Sequence, residues 1–513
     1  MTLVRVGQVG QFGVNKDLSL HELPPAIWTD ANNIRFADGC AQQVSGYKDL
    51  YASPSFAPYY LLPLTVGSTT HWIYAGAVKL SSVVDGPTHT DRRKAATDYS
   101  TTGRNAWTGC TLSGWAILHN NIDTPQSWNG VAGTFIDLVN WTATTTCKAI
   151  RTYKNSLVAL NVTVGGTNYP QRVKWSHPAD PGTLPTSWDV TDATKDAGWT
   201  DLADGSAIVD GLALRSSFMI YTKDSVWRMD FTGGAFVYSF NKVLGASGAM
   251  SRNCIVEIDG QHFVLTGSDC IIHDGQTSTS VLDKQTRKYL FAQIEPAYSD
   301  LCFVVVDRLF SEVHVCYPRL GSTICDRSMV WNWIDKTVSF RDTPSINHAA
   351  SGPVDDSGTS GTFTGSSGTI DAQTGAFDAN SSSLKRSVVV YAANASKLYL
   401  LDSGTSFAGT AVNSYIERAG MSLGSPEKMK LVKGIRPRIY GDTGLTVQVY
   451  VGSSDDPYGA ITYGSAIPFT IGTSVRCDTF CTGRYLAVKF ATGSALSWRL
   501  DSYDIEVEES GGW

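Results

Sequence analysis

One pattern recurs along the 513 residues and restricts the fold more than any other. It is a run of alternating apolar residues, a polar turn, and a second such run. It occurs at 150–160, at 212–229 around Lys223-Asp224, at 256–273 around Asp259-Gly260 and Gly267-Ser268, at 303–317 near Arg308, and at 388–401 around Asn394-Ala395-Ser396. His71-Trp72-Ile73-Tyr74-Ala75 begins an earlier copy. Side chains alternate between the two faces of a strand, so period-2 apolarity marks a strand with one buried face. The second strands start near residues 157, 218, 263, 313 and 398, with gaps of about 61, 45, 50 and 85. A β-propeller repeats a four-stranded blade every ~40–50 residues, and the longer gaps leave room for a further hairpin or an inserted loop. The 329–340 hairpin, turning at Asp335-Lys336, closes a blade.

Composition narrows the class further. Charged residues are 17% of the chain, and there are 48 Gly, 14 Trp and 22 Tyr. So many aromatic residues argue against disorder, and the shortage of Lys and Glu argues against a coiled coil. The formal charge is −6, which gives no global basic footprint for nucleic acid. The first eight residues lack the apolar core of a secretory signal. The run 301–306 is far short of the ~20 residues that span a bilayer, so no stable membrane insertion is expected. Ten cysteines scattered through the chain fit synthesis in a reducing cytoplasm better than a disulfide framework.

The predicted class is all-β: a β-propeller with an N-terminal arm and a C-terminal β-sandwich-like domain. Residues 1–50 read as an arm for assembly contacts, with few strands of its own. Ser19-Leu20-His21-Glu22 has capping-box spacing, and Pro24-Pro25 follows, so a short helix is predicted through Ala26-Ile27-Trp28. Residues 51–425 read as the propeller, with a Gly/Ser/Thr-rich exposed loop at 351–383. A second helix is predicted within 282–294. Residues 426–513 alternate again at 447–451 and 485–490 and read as a small antiparallel sandwich.

A search for chemistry returns little. Phosphate-loop, nucleophile-elbow and HExxH patterns are absent. Cys477 and Cys481 have a CxxxC spacing but lack a second ligand pair. His314 and Cys316 share a face of one predicted strand, and His273-Asp274-Gly275 and Ser268-Asp269 read as turns before they read as a catalytic pair. Thr194–Trp199 differs from the Asp-box of sialidase propellers in its early Trp. Asp355-Asp356 and Asp455-Asp456 lack EF-hand spacing. Asn140 and Asn161 fit glycosylation sequons only by chance in a chain with no signal. Trp115, Trp128 and Trp141 read as plugs between blades rather than sugar platforms. No catalytic residue, cofactor site or metal site is assigned, and no cofactor is expected.

The arm carries a longer signal. It reads Gly13-Val14-Asn15-Lys16-Asp17-Leu18, then Glu22-Leu23-Pro24-Pro25, then Trp28-Thr29-Asp30-Ala31-Asn32-Asn33-Ile34-Arg35-Phe36, then Asp38-Gly39 and Gly46-Tyr47. This ordered string resembles the start of tail nozzle proteins of short-tailed, podovirus-type bacteriophages. Weaker echoes follow at Trp175-Ser176, Thr186–Asp189, Lys223–Met229, Trp331-Asn332-Trp333, Gly483–Leu486 and Trp498–Leu500. The resemblance touches most of the chain and is patchy at 50–150 and 351–383.

The resemblance implies a structural virion protein without catalysis, with a propeller in each subunit. Its partners would be five further copies in a homo-hexameric ring, the tail adaptor (the head-to-tail connector), tail fibres or tailspikes, and the viral double-stranded DNA in passage. It would extend the DNA ejection channel below the portal and adaptor and close it before infection. It would sit in the virion tail after synthesis in the bacterial cytoplasm. Trp28, Asn33 and Arg35 would lie at the assembly interface. A ring of six such chains would carry about −36 and present few fixed cations to DNA. The alternatives are a receptor-binding adhesin of the tail, and a propeller glycosidase with two carboxylates ~5–9.5 Å apart on the axis.

Overall fold

The computed structural model describes residues 2–16, 19–84, 87–131, 133–234, 236–354, 386–495 and 497–512. Five antiparallel four-stranded sheets follow one another from Tyr60–Val66 to Ser278–Ser280. A seven-stranded sheet comes next and contains two blades. They share the 17-residue strand Val338–Val354. Its first half pairs with Cys325–Asn332 in the register Trp331↔Val338 to Cys325↔Ile346. Its second half pairs with Arg386–Ala393, from Ile346↔Ala393 to Val354↔Arg386. The strand is thus the outer strand of the sixth blade and the inner strand of the seventh.

The seven innermost strands begin at Tyr60, Thr108, Thr145, Ile208, Ile255, Phe303 and, for the seventh, the second half of Val338–Val354. Each neighbours the next, and the seventh neighbours the first. The ring is therefore a closed seven-bladed β-propeller. Closure comes from far along the sequence. Tyr47–Asp49 supplies the outermost strand of the seventh blade, with Leu401↔Tyr47 and Tyr399↔Asp49 paired. Ring closure packs each blade between two neighbours and leaves only short inner edges that face the axis.

All five expected strand–turn–strand segments lie in blades. The second blade, Thr108–Leu112 to Ile136–Asp137, was not predicted from sequence. Its strands have only five, five, three and two residues, too few to show a period. The helix expected within 282–294 is Lys284–Gln293, and the Asp283 carboxylate caps it by accepting from the Gln285 and Thr286 amides. Ser351–Val354 is strand, and nearly all of the Gly/Ser/Thr-rich segment lies outside the described residues.

The sandwich consists of two six-stranded antiparallel sheets. It starts earlier than the expected boundary of 426, at the strand Val412–Met421. It is also completed by the arm. Thr2–Val6 pairs with Trp498–Gly512, Asp30–Asn32 with Val412–Met421, and Cys40–Gln43 joins Ile34–Ala37 to the C-terminal strand. The arm is therefore not a strand-poor extension. Its strands escape a sequence reading because they are three to five residues long and, apart from the hairpin Ile34–Ala37/Cys40–Gln43, pair with strands hundreds of residues away. The helix expected at Ala26-Ile27-Trp28 is absent. The chain there makes successive turns, with Glu22 N–H donating to Ser19 O (2.9 Å) and Ile27 N–H to Pro24 O (3.0 Å).

One apolar core runs through both units. It joins Phe263, Trp331 and Phe340 of the fifth and sixth blades, Leu290 of the helix, and Trp28, Ile416, Val432, Phe490 and Tyr503 of the sandwich. Continuous burial of this kind, at roughly 25 cal/mol per Å² of apolar surface, holds propeller and sandwich as one body.

Candidate functional site at the joint of propeller and sandwich

The residues 28–36 of the arm form this joint. Trp28 is fully buried, with ring centroids 6.5 Å from Phe490 and 6.0 Å from Tyr503, and its indole N–H donates to Val9 O at 2.5 Å. Asn33 links two strands in the left-handed region, at φ 55°. Asn tolerates that conformation better than branched residues do. Its amide is fully used: Nδ2 donates to Asp342 Oδ2 (3.0 Å) and Asn413 O (2.7 Å), while Oδ1 accepts from Asp342 N–H (2.8 Å). Asn32 Nδ2 reaches the same carboxylate oxygen at 2.7 Å.

Arg35 crosses from the arm into the propeller. Its Nε and Nη2 donate to the two oxygens of Glu312 at 2.7 and 2.8 Å, and Nη2 also meets Asp402 Oδ2 at 2.8 Å. The guanidinium lies 3.8 Å from the Phe310 ring centre. On the far side of Asp402, Arg341 donates to Oδ1 (2.9 Å) and to Ser45 O (2.6 Å). All four side chains are at least 95% buried. Burial opposes the charges of Arg35, Glu312 and Asp402, but mutual attraction wins. Arg35 is raised above its ordinary value, and Glu312 and Asp402 are held below theirs. Among the described residues Asp307 has no salt-bridge partner. Burial, then the charges of Asp402 and Glu312, push it up to about 6.

Trp28, Asn33 and Arg35 were expected at an assembly interface. Their side chains are instead spent inside the chain: Trp28 packs in the core and bonds Val9 of the arm itself, and the polar groups of Asn33 and Arg35 find partners in the sixth or seventh blade or the sandwich. Glu312, Arg341, Asp342 and Asp402 were missed. The available signal was a charge at an inward position of a predicted strand, as in Glu312-Val313-His314-Val315, since a buried charge demands a partner.

The propeller axis holds a cavity of about 530 Å³ lined by all seven inner strands. Tyr60, Asn253 and His348 border both it and a water-sized space beyond, so a layer of side chains divides the axis. Within that layer Arg151 donates to Asp210 Oδ2 (2.9 Å), Asn253 Oδ1 (3.1 Å) and Thr108 Oγ1 (2.7 Å). The carboxylates lining the cavity are Asp210 and Glu257. Each is paired, Glu257 with Arg308 at 3.0 Å.

Other candidates also resolve. Tyr221 OH lies between His262 Nδ1 and His273 Nε2, 2.6 Å from each, so His273 tethers the fourth blade to the fifth. Asp274 accepts from the Gln276 and Thr277 amides in a turn. His314 is fully buried, 3.4 Å from Glu312. Trp128 is core, Trp141 packs against Trp188 at 4.6 Å, and Trp115 donates to Gly182 O. All ten cysteines are free, and the described residues contain no group of three or more metal-ligating side chains. No described helix is long and apolar enough to cross a membrane.

No family model and no curated protein matches the chain. Among solved structures it is similar to the computationally designed protein Ika8, with a TM-score of 0.38 and 9% identity over 69% of this chain and 99% of that one. It is also similar to the WD40 domain of Neurospora crassa Pan2, with a TM-score of 0.37 and 7% identity over 70% of this chain and 95% of that one.

Proposed function

We propose that this chain is a non-catalytic subunit of the tail nozzle of a short-tailed bacteriophage, a ring of six below the portal and adaptor. The observation that carries the reading is the arm. The string that resembles nozzle proteins, Trp28 to Phe36, is also the segment in which the sandwich, the sixth blade and the seventh blade meet. A conspicuous string with that architectural use belongs to a scaffold. The paired state of Asp210 and Glu257 favours a structural over a glycosidic role, because general acid catalysis needs a carboxyl that is free to exchange a proton. The side-chain layer at Arg151 and Tyr60 makes the propeller axis unsuited to DNA. In this reading the duplex runs between copies, past a sparsely charged wall.

The test is electron cryo-microscopy of the purified chain mixed with the portal–adaptor complex of its particle. Six copies in a ring on the adaptor are expected. A chain that stays monomeric beside that complex, and is missing from purified particles by mass spectrometry, overturns the proposal.

A further inference from the structure

The outer face of one sandwich sheet carries a trough of about 510 Å³, within the ~300–1,000 Å³ of small-molecule sites. Three strands build it: Val412–Met421, Tyr485–Ser494 and Thr446–Ser454, with Tyr485–Ser494 in the middle. The outward residues of the middle strand are small where its neighbours are large. Ala491 lies between Tyr415 on one side and Gln448 on the other, and Gly493 lies opposite Asn413. Side chains two apart share a face, so Ala491 and Gly493 form a floor with walls on both sides. Asn413 leans over that floor, since a Cβ on Gly493 would stand 2.9 Å from its Oδ1. Tyr450 continues one wall, and Tyr463 folds across Gly452 to meet it edge-on, with ring centroids 6.4 Å apart.

The chemistry of the lining selects a ligand. Tyr rings offer apolar faces with a polar tip. The side-chain amides of Asn413 and Gln448 make no hydrogen bond to any described residue, and each offers two donors and an acceptor. The charges at the trough are already matched. Lys489 lies 3.4 Å from Glu417 and 4.2 Å from the Tyr415 ring centre, Tyr415 OH donates to Asp30 (3.0 Å), and Lys16 lies 3.4 Å from Asp30. An anionic ligand finds no surplus cation there, and a purely apolar one would leave the amides unpaired. A ring with apolar C–H faces and a rim of hydroxyls satisfies both surfaces. We infer that this trough is a saccharide-binding site, taking one or two units of a neutral sugar. The inference stands apart from the nozzle reading, because a chain that never entered a particle would still bind.

The test uses the full chain with glucose, galactose, mannose, N-acetylglucosamine and their disaccharides, by ligand-observed NMR and calorimetry. At least one is expected to bind with Kd of about 0.1–10 mM. Ala491→Trp, which fills the floor, and Gln448→Ala, which removes a wall amide, should each weaken it by about tenfold or more, with unchanged melting midpoints. Failure of the wild-type chain to bind any member, or retention of the sugar by the folded Ala491→Trp variant, overturns the inference.

Discussion

Replacing Arg35 by Met isolates the charge that ties the arm to the propeller. The variant keeps an apolar stem for the Phe310 ring but loses three hydrogen bonds to two carboxylates. Asp402 retains Arg341 at 2.9 Å, so the group left without its cation is Glu312. A buried, unpaired carboxylate relieves itself by taking up a proton. For a group with an ordinary value of 4.5, protonation at pH 7 costs about 3.4 kcal/mol, at about 1.36 kcal/mol per pH unit. This agrees with the ~3–5 kcal/mol found when one partner of a buried pair is removed. The cost shrinks as protons become available and is about 0.7 kcal/mol at pH 5. In the intact chain Glu312 and Asp402 sit below their ordinary values, so their contribution is complete above about pH 4.5 and is lost on acidification below it. Urea unfolding followed by Trp fluorescence and far-UV circular dichroism, at pH 7 and pH 5, reads both numbers. Adding Glu312→Gln removes the orphaned charge and should recover most of the loss at pH 7. A loss below about 1 kcal/mol at pH 7, an equal loss at both pH values, or no recovery in the double variant would refute the reasoning.

Other substitutions probe the remaining parts. Deleting residues 1–45 takes four strands from the sandwich and exposes the core around Ile416, Phe490 and Tyr503, so it should yield an aggregating chain rather than a folded subunit unable to assemble; recovery of a monodisperse β-rich product would contradict this. Asp307 holds its proton to about pH 6 when folded against an ordinary 3.8, so its contribution to stability falls as pH rises from about 3.8 to 6. Asp307→Asn should therefore be more stable than wild type by up to about 3 kcal/mol at pH 8, with little difference at pH 4, and equal urea midpoint shifts at both pH values would count against the buried-acid assignment. A Cβ at Gly46 would lie 1.9 Å from Ser406 O, so Gly46→Ala should loosen the strand that closes the seventh blade; amide exchange at Tyr47–Asp49 no faster than wild type would show that the closure tolerates it.

How much of this architecture can be read from sequence depends on where each segment's partner lies. Ser156–Val164 and Phe303–Asp307 announce themselves because they pair with the adjacent segment and are buried along nearly their whole length. The second blade stays silent because its strands end before alternation is established. The string from Trp28 to Phe36 is conspicuous in sequence but misleading about its place. Thr, Asp, two Asn and an Arg within nine residues look like a solvent-facing motif. The two Asn and the Arg are buried because Asp342, Glu312 and Asp402 lie 277 to 367 residues away in sequence and beside them in space. The saccharide trough was invisible for a related reason: its floor and walls come from three strands, and a small residue in an alternating strand carries no local signal.

The same separation constrains how the molecule forms. The seventh blade cannot close until Lys397–Leu401 exists to receive Tyr47–Asp49, and the sandwich cannot close until Trp498–Gly512 receives Thr2–Val6. The arm therefore emerges first and finds its partners last. Its strands are only three to five residues long, which suits that wait, since long unpaired apolar strands invite association between chains. Pairing by charge and amide groups also sets the register, because Arg35 is satisfied only when Glu312 and Asp402 are both in place, that is, when the sixth and seventh blades have already formed. A slip of one residue would turn the arm's apolar side chains out of the core, and the displaced guanidinium would leave the buried Glu312 carboxylate without its cation. The polar joint thus couples completion of the propeller to completion of the sandwich.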